Sequence, residues 1–236
     1  MSAAEHIWVV IPAAGSSRRM GAIDRPKQYL PLCGRTLLEW AVQPLLSLPT
    51  CERIVVVLAA DDRYWQWTSL SREPRIGTAV GGQERADSVR AGLAALSDTA
   101  RENDWVLVHD AARPCLSKED VDELVLRLRS DPVGGLLATP VVDTLKRADE
   151  NNSVMETLPR EGLWRALTPQ MFRFGVLARA LEEAARSGIA VTDEAQAVER
   201  LGMKPKLVRG SAENIKVTTP ADLEQAERIL TARGKR

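Results

Sequence analysis

No stretch of this 236-residue chain is apolar over the ~18 residues that a membrane-spanning helix requires. Nor is either sign of charge in excess. Thirty-two Lys and Arg face 32 Asp and Glu, which removes any general attraction to nucleic acid or to an anionic membrane. A phosphate-bearing ligand must therefore be met by a local cluster of cations. Cysteine is scarce: Cys33, Cys51 and Cys115 are odd in number, scattered and without metal-ligand spacing, as fits a reduced compartment. The opening Met1–Gly15 has no basic segment, and its apolar run Trp8–Pro12 is too short for a signal core. A cytoplasmic setting is expected. Two phosphate-binding signatures are missing as well: there is no G-x-x-x-x-G-K-[ST] and no G-x-G-x-x-G. The chain shows no repeat, no low-complexity run and no interdomain linker.

What is present is ordinary in amount and informative in order. Hydrophobic residues make up 44% and charged residues 27%, a globular balance. The length suits one domain over residues 1–236. Trp8–Pro12, Ile54–Leu58 and Trp105–His109 are short, β-rich and apolar on both faces, the pattern of strands in a parallel sheet covered on both sides. Helices are expected between them: from Thr36, where Thr36 and Glu39 form a capping box, to about Leu48; over Ser88–Leu96; and over Lys118–Arg129 behind a Ser117 cap. The βαβαβ order predicts a doubly wound α/β fold with a mainly parallel sheet. From Gly134 to about Leu167 the helical period disappears. Strands are expected near Gly134–Pro140, Asp143–Arg147 and Leu163–Leu167, with a turn at Asn151-Asn152. Residues at about 140–162 would form a projecting β-arm. Helices over Val176–Ser187 and Asp193–Leu201, strands near Lys206–Val208 and Ile215–Val217, and a last helix opened by Thr219-Pro220 complete the reading.

Three segments could carry chemistry. Pro12-Ala-Ala-Gly-Ser-Ser-Arg-Arg-Met20 follows the first strand, and Pro26-Lys27-Gln28-Tyr29 follows it closely. Small residues there let backbone N–H groups face phosphate oxygens, and Arg18, Arg19 and Lys27 add positive charge. The bland reading is a small-residue turn with a solvated basic loop. Gly81-Gly-Gln-Glu-Arg-Ala-Asp-Ser88 could approach a flat base closely, or could be a strand-to-helix turn capped by Asp87 or Ser88. His109-Asp110-Ala-Ala-Arg-Pro114 ends a buried strand with a carboxylate. Asp110 could serve magnesium, which takes a few hard oxygen ligands and keeps water, or could simply pair with Arg113. His109 is not needed as a base, because a phosphate monoester nucleophile has its second pKa near 6 and is already largely anionic. Trp65 and Trp67, in a chain without a periodic stacking platform, read as packing residues.

Taken together, these motifs resemble a known family. Pro12-Ala-Ala-Gly, Arg19-Met20 and Pro26-Lys27-Gln28-Tyr29 resemble the start of nucleotidyltransferases that activate sugar phosphates. Gly81–Ser88, His109–Pro114, Thr168-Pro-Gln170, Thr192-Asp-Glu-Ala195 and Asn214-Ile-Lys-Val-Thr218 look like the 2-C-methyl-D-erythritol 4-phosphate cytidylyltransferases of the non-mevalonate isoprenoid pathway. The matches run in order over nearly the whole chain. The resemblance implies a Rossmann-like nucleotidyltransferase fold and a magnesium-dependent transfer of the cytidylyl group of CTP. It makes Arg19 and Lys27 the catalytic cations. Ala13, Ala14, Gly15, Gly82 and Ser88 would hold the nucleotide, and Asp110 would help place Mg2+. Arg113, Arg160, Thr168, Thr192 and Lys216 would bind the methylerythritol phosphate. It further implies a homodimer in which the arm of one subunit reaches its partner's site. The alternatives are a cytidylyltransferase for another polyol phosphate, such as ribitol 5-phosphate, and a silent nucleotide-binding scaffold. Ser17 departs from the family, which usually has a second glycine there.

Overall fold

A computed structural model describes residues 6–15, 20 and 24–234. The chain opens with β1 (Ile7–Pro12), a hairpin of β2 (Pro31–Leu32) and β3 (Arg35–Thr36), then α1 (Leu37–Leu46), β4 (Cys51–Leu58) and β5 (Ile76–Val80). It continues with α2 (Arg85–Ala94), β6 (Trp105–Val108), α3 (Lys118–Leu128), β7 (Gly134–Pro140), β8 (Leu145–Ala148), β9 (Val154–Leu158) and β10 (Trp164–Arg173). It ends with α4 (Phe174–Arg186), α5 (Glu194–Arg200), β11 (Lys206–Arg209) and α6 (Pro220–Arg233).

Seven strands form one sheet in the order β11-β7-β10-β6-β1-β4-β5. The neighbours are parallel except at β10, which runs antiparallel to both β6 and β7. This is the expected α/β architecture. The strand order explains why the central runs are apolar on both faces. Alternate β1 residues pack to opposite sides: Ile7, Val9 and Ile11 meet Leu38, Val42 and Leu45 of α1 and Leu124 and Leu128 of α3. Trp8 and Val10 meet Val89 and Leu93 of α2, Leu177 and Leu181 of α4, and Val198 of α5. On that second face α2 comes so close that a Cβ at Gly92 would sit 2.4 Å from Val10 Cγ1. Helix α6 closes a smaller cluster through Ala226 and Leu230, with Leu223 packed against it.

Local signals behave as their chemistry predicts. Thr36 Oγ1 accepts from Glu39 N–H at 3.2 Å while the Glu39 carboxylate accepts from Thr36 N–H at 2.7 Å. Thr219 and Asp222 form the same box at α6, and the Ser117 hydroxyl caps α3 by accepting from Asp120 N–H. The arm is a separate two-stranded sheet of β8 and β9. Its turn is held by the Asp149 carboxylate, which accepts from the N–H groups of Asn151 and Ser153, while Asn152 takes φ 61°.

Four expectations need correction. Ile215–Val217 is not a strand; Val217 N–H instead bonds the Ala112 carbonyl at 2.8 Å, drawing the segment beneath the end of β6. Helix α2 begins earlier than Ser88, and its cap is Glu84, whose N–H donates to the Asp87 carboxylate at 3.2 Å. Strand β10 runs well past Leu167, because Pro169 falls where its pairing with β7 is interrupted and no ladder N–H is missed. Trp65 packs against the core, but Trp67 is 81% exposed and packs on nothing comparable. No helix among the described residues is long and apolar enough to cross a membrane.

Candidate active site

Strands β1 and β6 are neighbours, yet the chain leaves β1 toward β4 and β5 before returning on the other side to β6. That reversal opens a crevice beyond the carboxyl ends of the strands, where open α/β sheets bind ligands. A cleft of about 480 Å³ lies there. Its floor is the turn after β1, Ala13-Ala14-Gly15, and its walls come from Gly82–Ser88, Asp110–Ala112, Lys27-Gln28 and Lys216–Thr218.

Each wall is fixed from behind. Ala13 N–H donates to the Val57 carbonyl at 2.8 Å, and Gln28 Nε2 donates to the Ala13 carbonyl at 2.6 Å. A Cβ on Gly15 would meet nothing within 4 Å among the described residues. Open space beside a strand-end turn is what a ligand would use. Gly82 differs: a Cβ there would press on Asp87 Cβ at 2.4 Å. The turn that starts α2 needs this glycine whether or not a base binds. Lys27 Nζ donates to the Val217 carbonyl at 2.9 Å, which ties the two cation-bearing loops together.

Asp110 is the electrostatic centre. Arg85 Nε donates to its Oδ1 at 2.8 Å, Lys216 Nζ lies 2.8 Å from Oδ2, and Arg113 Nε lies 3.6 Å from Oδ2. Burial alone would raise this carboxyl, but Arg85, Lys216 and Arg113 outweigh it and hold it far below the usual carboxylate range. The two readings of Asp110 at the level of sequence are therefore not rivals: it is ion-paired, and with more than Arg113. Arg85 also grips the buried Glu194 at the start of α5 with two prongs, 2.6 and 3.0 Å. Burial works against the Arg85 charge, and the two carboxylates more than offset that.

Eight residues expected to act together do line one cleft: Ala13, Ala14, Gly15, Lys27, Gly82, Ser88, Asp110 and Lys216. Arg113 and Thr168 are buried beside it. Arg113 Nη1 donates to the Asn214 carbonyl at 2.7 Å, and Thr168 Oγ1 accepts from Asp110 N–H at 3.1 Å. Arg113 Nε and Asn214 Oδ1 have no hydrogen-bond partner among the described residues. Two residues lie apart. Arg160 is exposed in the arm and donates to the Val142 carbonyl; Thr192 is exposed ahead of α5, its N–H donating to Gln196 Oε1 at 2.7 Å. Arg19 and Ser17 fall outside the described residues. His109 is fully buried, and burial pushes its pKa from the ordinary 6.5 down to about 4. Residues given no role from the sequence also belong here: Arg85, Gln28, Gln83 and Thr218 line the cleft, and Glu194 and Asn214 brace it. Arg85 and Gln28 lay within the motifs, but a motif names neighbours in sequence. The partners of Arg85 are 25 and 109 positions away.

The model of the family described as IspD, 2-C-methyl-D-erythritol 4-phosphate cytidylyltransferase, matches residues 7–232. The chain belongs to that family. A 2-C-methyl-D-erythritol 4-phosphate cytidylyltransferase of Pseudomonas putida (strain W619) is 55% identical over 218 residues, 92% of each chain. One from Dechloromonas aromatica (strain RCB) is 53% identical over 96% of this chain and 98% of its own. Among solved structures, a 4-diphosphocytidyl-2C-methyl-D-erythritol synthase superposes with a TM-score of 0.83 at 38% identity, covering 97% of this chain and all of the other. The IspD of Francisella tularensis superposes with a TM-score of 0.82 at 35% identity, over 95% and 99% of the two chains. The cleft of this IspD-family chain is thus set in the nucleotidyltransferase fold, at the sheet's point of reversal.

Proposed function

We propose that this cleft transfers the cytidylyl group of CTP to 2-C-methyl-D-erythritol 4-phosphate, a step in isoprenoid precursor biosynthesis. The observation that carries the assignment of roles is one ionised carboxylate, Asp110, held by Arg85, Lys216 and Arg113, with Lys27 lining the same cleft above an open small-residue turn. In a chain of zero net charge, that concentration of cations is local and matches an anionic ligand. An acceptor phosphate oxygen attacks the α-phosphorus of CTP. A new O–P bond forms, the bond from the α-phosphorus to the bridging oxygen breaks, and pyrophosphate leaves with the electron pair. The nucleophile is already an anion, so the chain's work is orientation and charge stabilisation.

Lys27 and Arg19 are the cations assigned to the five-coordinate α-phosphoryl. Ala13, Ala14 and Gly15 present backbone to the phosphates, while Gly82 and Ser88 meet the base. Lys216, released from Asp110, takes the methylerythritol phosphate with Arg113, Thr168, Thr192 and a partner subunit's arm residue equivalent to Arg160, the cations meeting its phosphate group. Magnesium fits one way here. Among the described residues no group of three or more His, Cys, Asp or Glu side chains could hold a metal, but Asp110 is a single carboxylate kept ionised by its neighbours. It suits an ion brought in on triphosphate oxygens, with water completing the shell. That ion would supply neutralisation of the triphosphate charge. A cytoplasmic homodimer, the chain forming one domain with its arm, completes the reading.

Pyrophosphate release is the direct test. CTP with 2-C-methyl-D-erythritol 4-phosphate is expected to release pyrophosphate, and CTP with ribitol 5-phosphate is expected to fall well short. Equal turnover with both would widen the substrate; no turnover with either would leave a silent scaffold.

A further inference from the structure

His109 sits at the carboxyl end of β6, one residue before Asp110, and is 0% exposed. Its two ring nitrogens meet different parts of the fold. Nε2 lies 3.2 Å from the Arg113 carbonyl oxygen, and Nδ1 lies 2.9 Å from Thr168 Oγ1 on β10. The same Thr168 oxygen accepts the Asp110 N–H at 3.1 Å.

Proton counting leaves one arrangement. A carbonyl oxygen only accepts, so Nε2 must carry a hydrogen. The ring is buried with no carboxylate on either nitrogen, which favours its neutral form. Nδ1 is then bare and accepts, so the Thr168 hydroxyl must donate to it while accepting from Asp110. The other tautomer would set a bare Nε2 against a carbonyl oxygen. It would also aim two donors at Thr168 and leave the hydroxyl hydrogen without an acceptor. Two further bonds extend the chain in the same direction: Arg113 Nη1 donates to the Asn214 carbonyl at 2.7 Å, and Asn214 Nδ2 donates to the Thr168 carbonyl at 2.8 Å. The bonds run one way from Asp110 through Thr168, His109, Arg113 and Asn214, and return to Thr168. The stretch from the Asp110 N–H through the Thr168 hydroxyl and the imidazole to the Arg113 carbonyl is a relay in which each bond can polarise the next in a low-dielectric interior, and the Arg113 and Asn214 bonds close the ring mechanically.

We propose that His109 is a positioning residue that, as the Nε2–H tautomer, directs this circuit and locks the turn bearing Asp110 and Arg113 onto β10. Thr168 then has no proton to give. Toward a ligand it offers one lone pair, so it accepts from an acceptor hydroxyl and does not donate to a phosphate. The sequence reading excludes His109 as a base, and its role here involves no proton transfer. The kinetic part of the proposal rests on the cytidylyltransferase reading; the tautomer does not.

The test therefore has two parts. The chain has two histidines, so a long-range proton–nitrogen NMR spectrum of the 15N-histidine-labelled wild type resolves both rings. The buried ring is expected to show a protonated Nε2 and a bare Nδ1; a protonated Nδ1 overturns the proposal. In kinetics, His109→Gln keeps a donor near Arg113 but loses Thr168, and Thr168→Val removes the hydroxyl. Each is expected to raise KM for the acceptor roughly tenfold, about what one buried hydrogen bond contributes, with KM for CTP within about twofold. The double variant should be no worse than the worse single, since both break the same circuit. Thr168→Ser, which keeps the hydroxyl, should recover most of the loss. Additive losses, or an unchanged acceptor KM, overturn the proposal. If His109→Gln does not fold, the spectrum and the Thr168 pair still decide. A wild type that releases no pyrophosphate would defeat the functional reading while leaving the spectrum to judge the tautomer.

Discussion

The Asp110 cleft and the β8–β9 arm are built on opposite principles. In the cleft the buried carboxylates are answered within the chain: Asp110 by Arg85, Lys216 and Arg113, and Glu194 by Arg85. In the arm the strands are exposed on nearly every residue. Val154 and Met155 stand 63% and 66% exposed, and Val142 nearby is 72% exposed. Cross-strand ties such as Arg147 to Glu156 at 2.6 Å are between half-solvated groups, and such pairs contribute about 1 kcal/mol at most. Two lone strands with that much apolar surface are marginal by themselves. The cleft holds its shape from within; the arm's stability is completed by something outside it, and a second copy of the chain is our proposal for what covers it.

The largest expected effect that sharpens this contrast is at Lys27. Lys27→Ala should lower kcat by roughly 10²–10³, as for loss of one preorganised charge contact in the transition state, with CTP binding much less affected. Near-normal kcat in steady-state assays would remove Lys27 from the catalytic pair. Asp110→Asn keeps the shape but leaves Lys216 and Arg113 without their carboxylate and Arg85 with Glu194 alone. Activity should fall by roughly a hundredfold and the magnesium requirement should rise, because both depend on that one charge. An unchanged magnesium titration would place the ion elsewhere.

The arm is best tested by mixing. Arg160→Ala should raise KM for the acceptor about tenfold while leaving the melting temperature in place, since an exposed side chain contributes little to folding. If the arm serves a partner's cleft, mixing Arg160→Ala with Lys27→Ala protein should restore about a quarter of wild-type sites, the share expected from random dimers with one intact site. No recovery, with a monomer in light scattering, breaks the comparison. The smallest effect concerns pH. His109 holds its proton less tightly when folded, with a pKa of about 4 against 6.5, so the unfolded chain binds the extra proton between those values. Its contribution is full above pH ~6.5 and declines toward pH ~4, on the order of 1.4 kcal/mol per unit. Urea midpoints across that window should show the slope, and His109→Gln should flatten it.

Much of the frame was legible because its causes are local. Strand β1 could be read from an unbroken apolar run, α1 from a Thr36–Glu39 box three residues apart, and α6 from Thr219-Pro220. The positions of Gly15, Lys27 and Asp110 followed from lying just past strand ends. What escaped depends on contacts between distant parts. Ile215–Val217 has strand-like residues, but its N–H groups are spent on Ala112 and on a turn rather than on a ladder. Glu84 was passed over as a cap because an Asp and a Ser stood three and four residues on, and Asp87 does its work from the third helical position. Arg85 lay in the Gly81–Ser88 motif without a role, and only folding brings Glu194 and Asp110 to its two edges. The full length of β10 was not legible either, because its pairing with β7 is interrupted between Ala166 and Gln170 and resumes beyond Pro169.

Strand β10 has one more consequence. It pairs with β7 from Phe172↔Gly134 to Trp164↔Pro140, and the bond from Val141 N–H to the Leu163 carbonyl at 3.0 Å carries that pairing on toward the arm. Thr168 lies within this ribbon, between the segment paired to β6 and the segment leading outward. The arm and the site thus share one continuous strand: Thr168, whose hydroxyl accepts the Asp110 N–H, stands on the same backbone that leads outward to the arm.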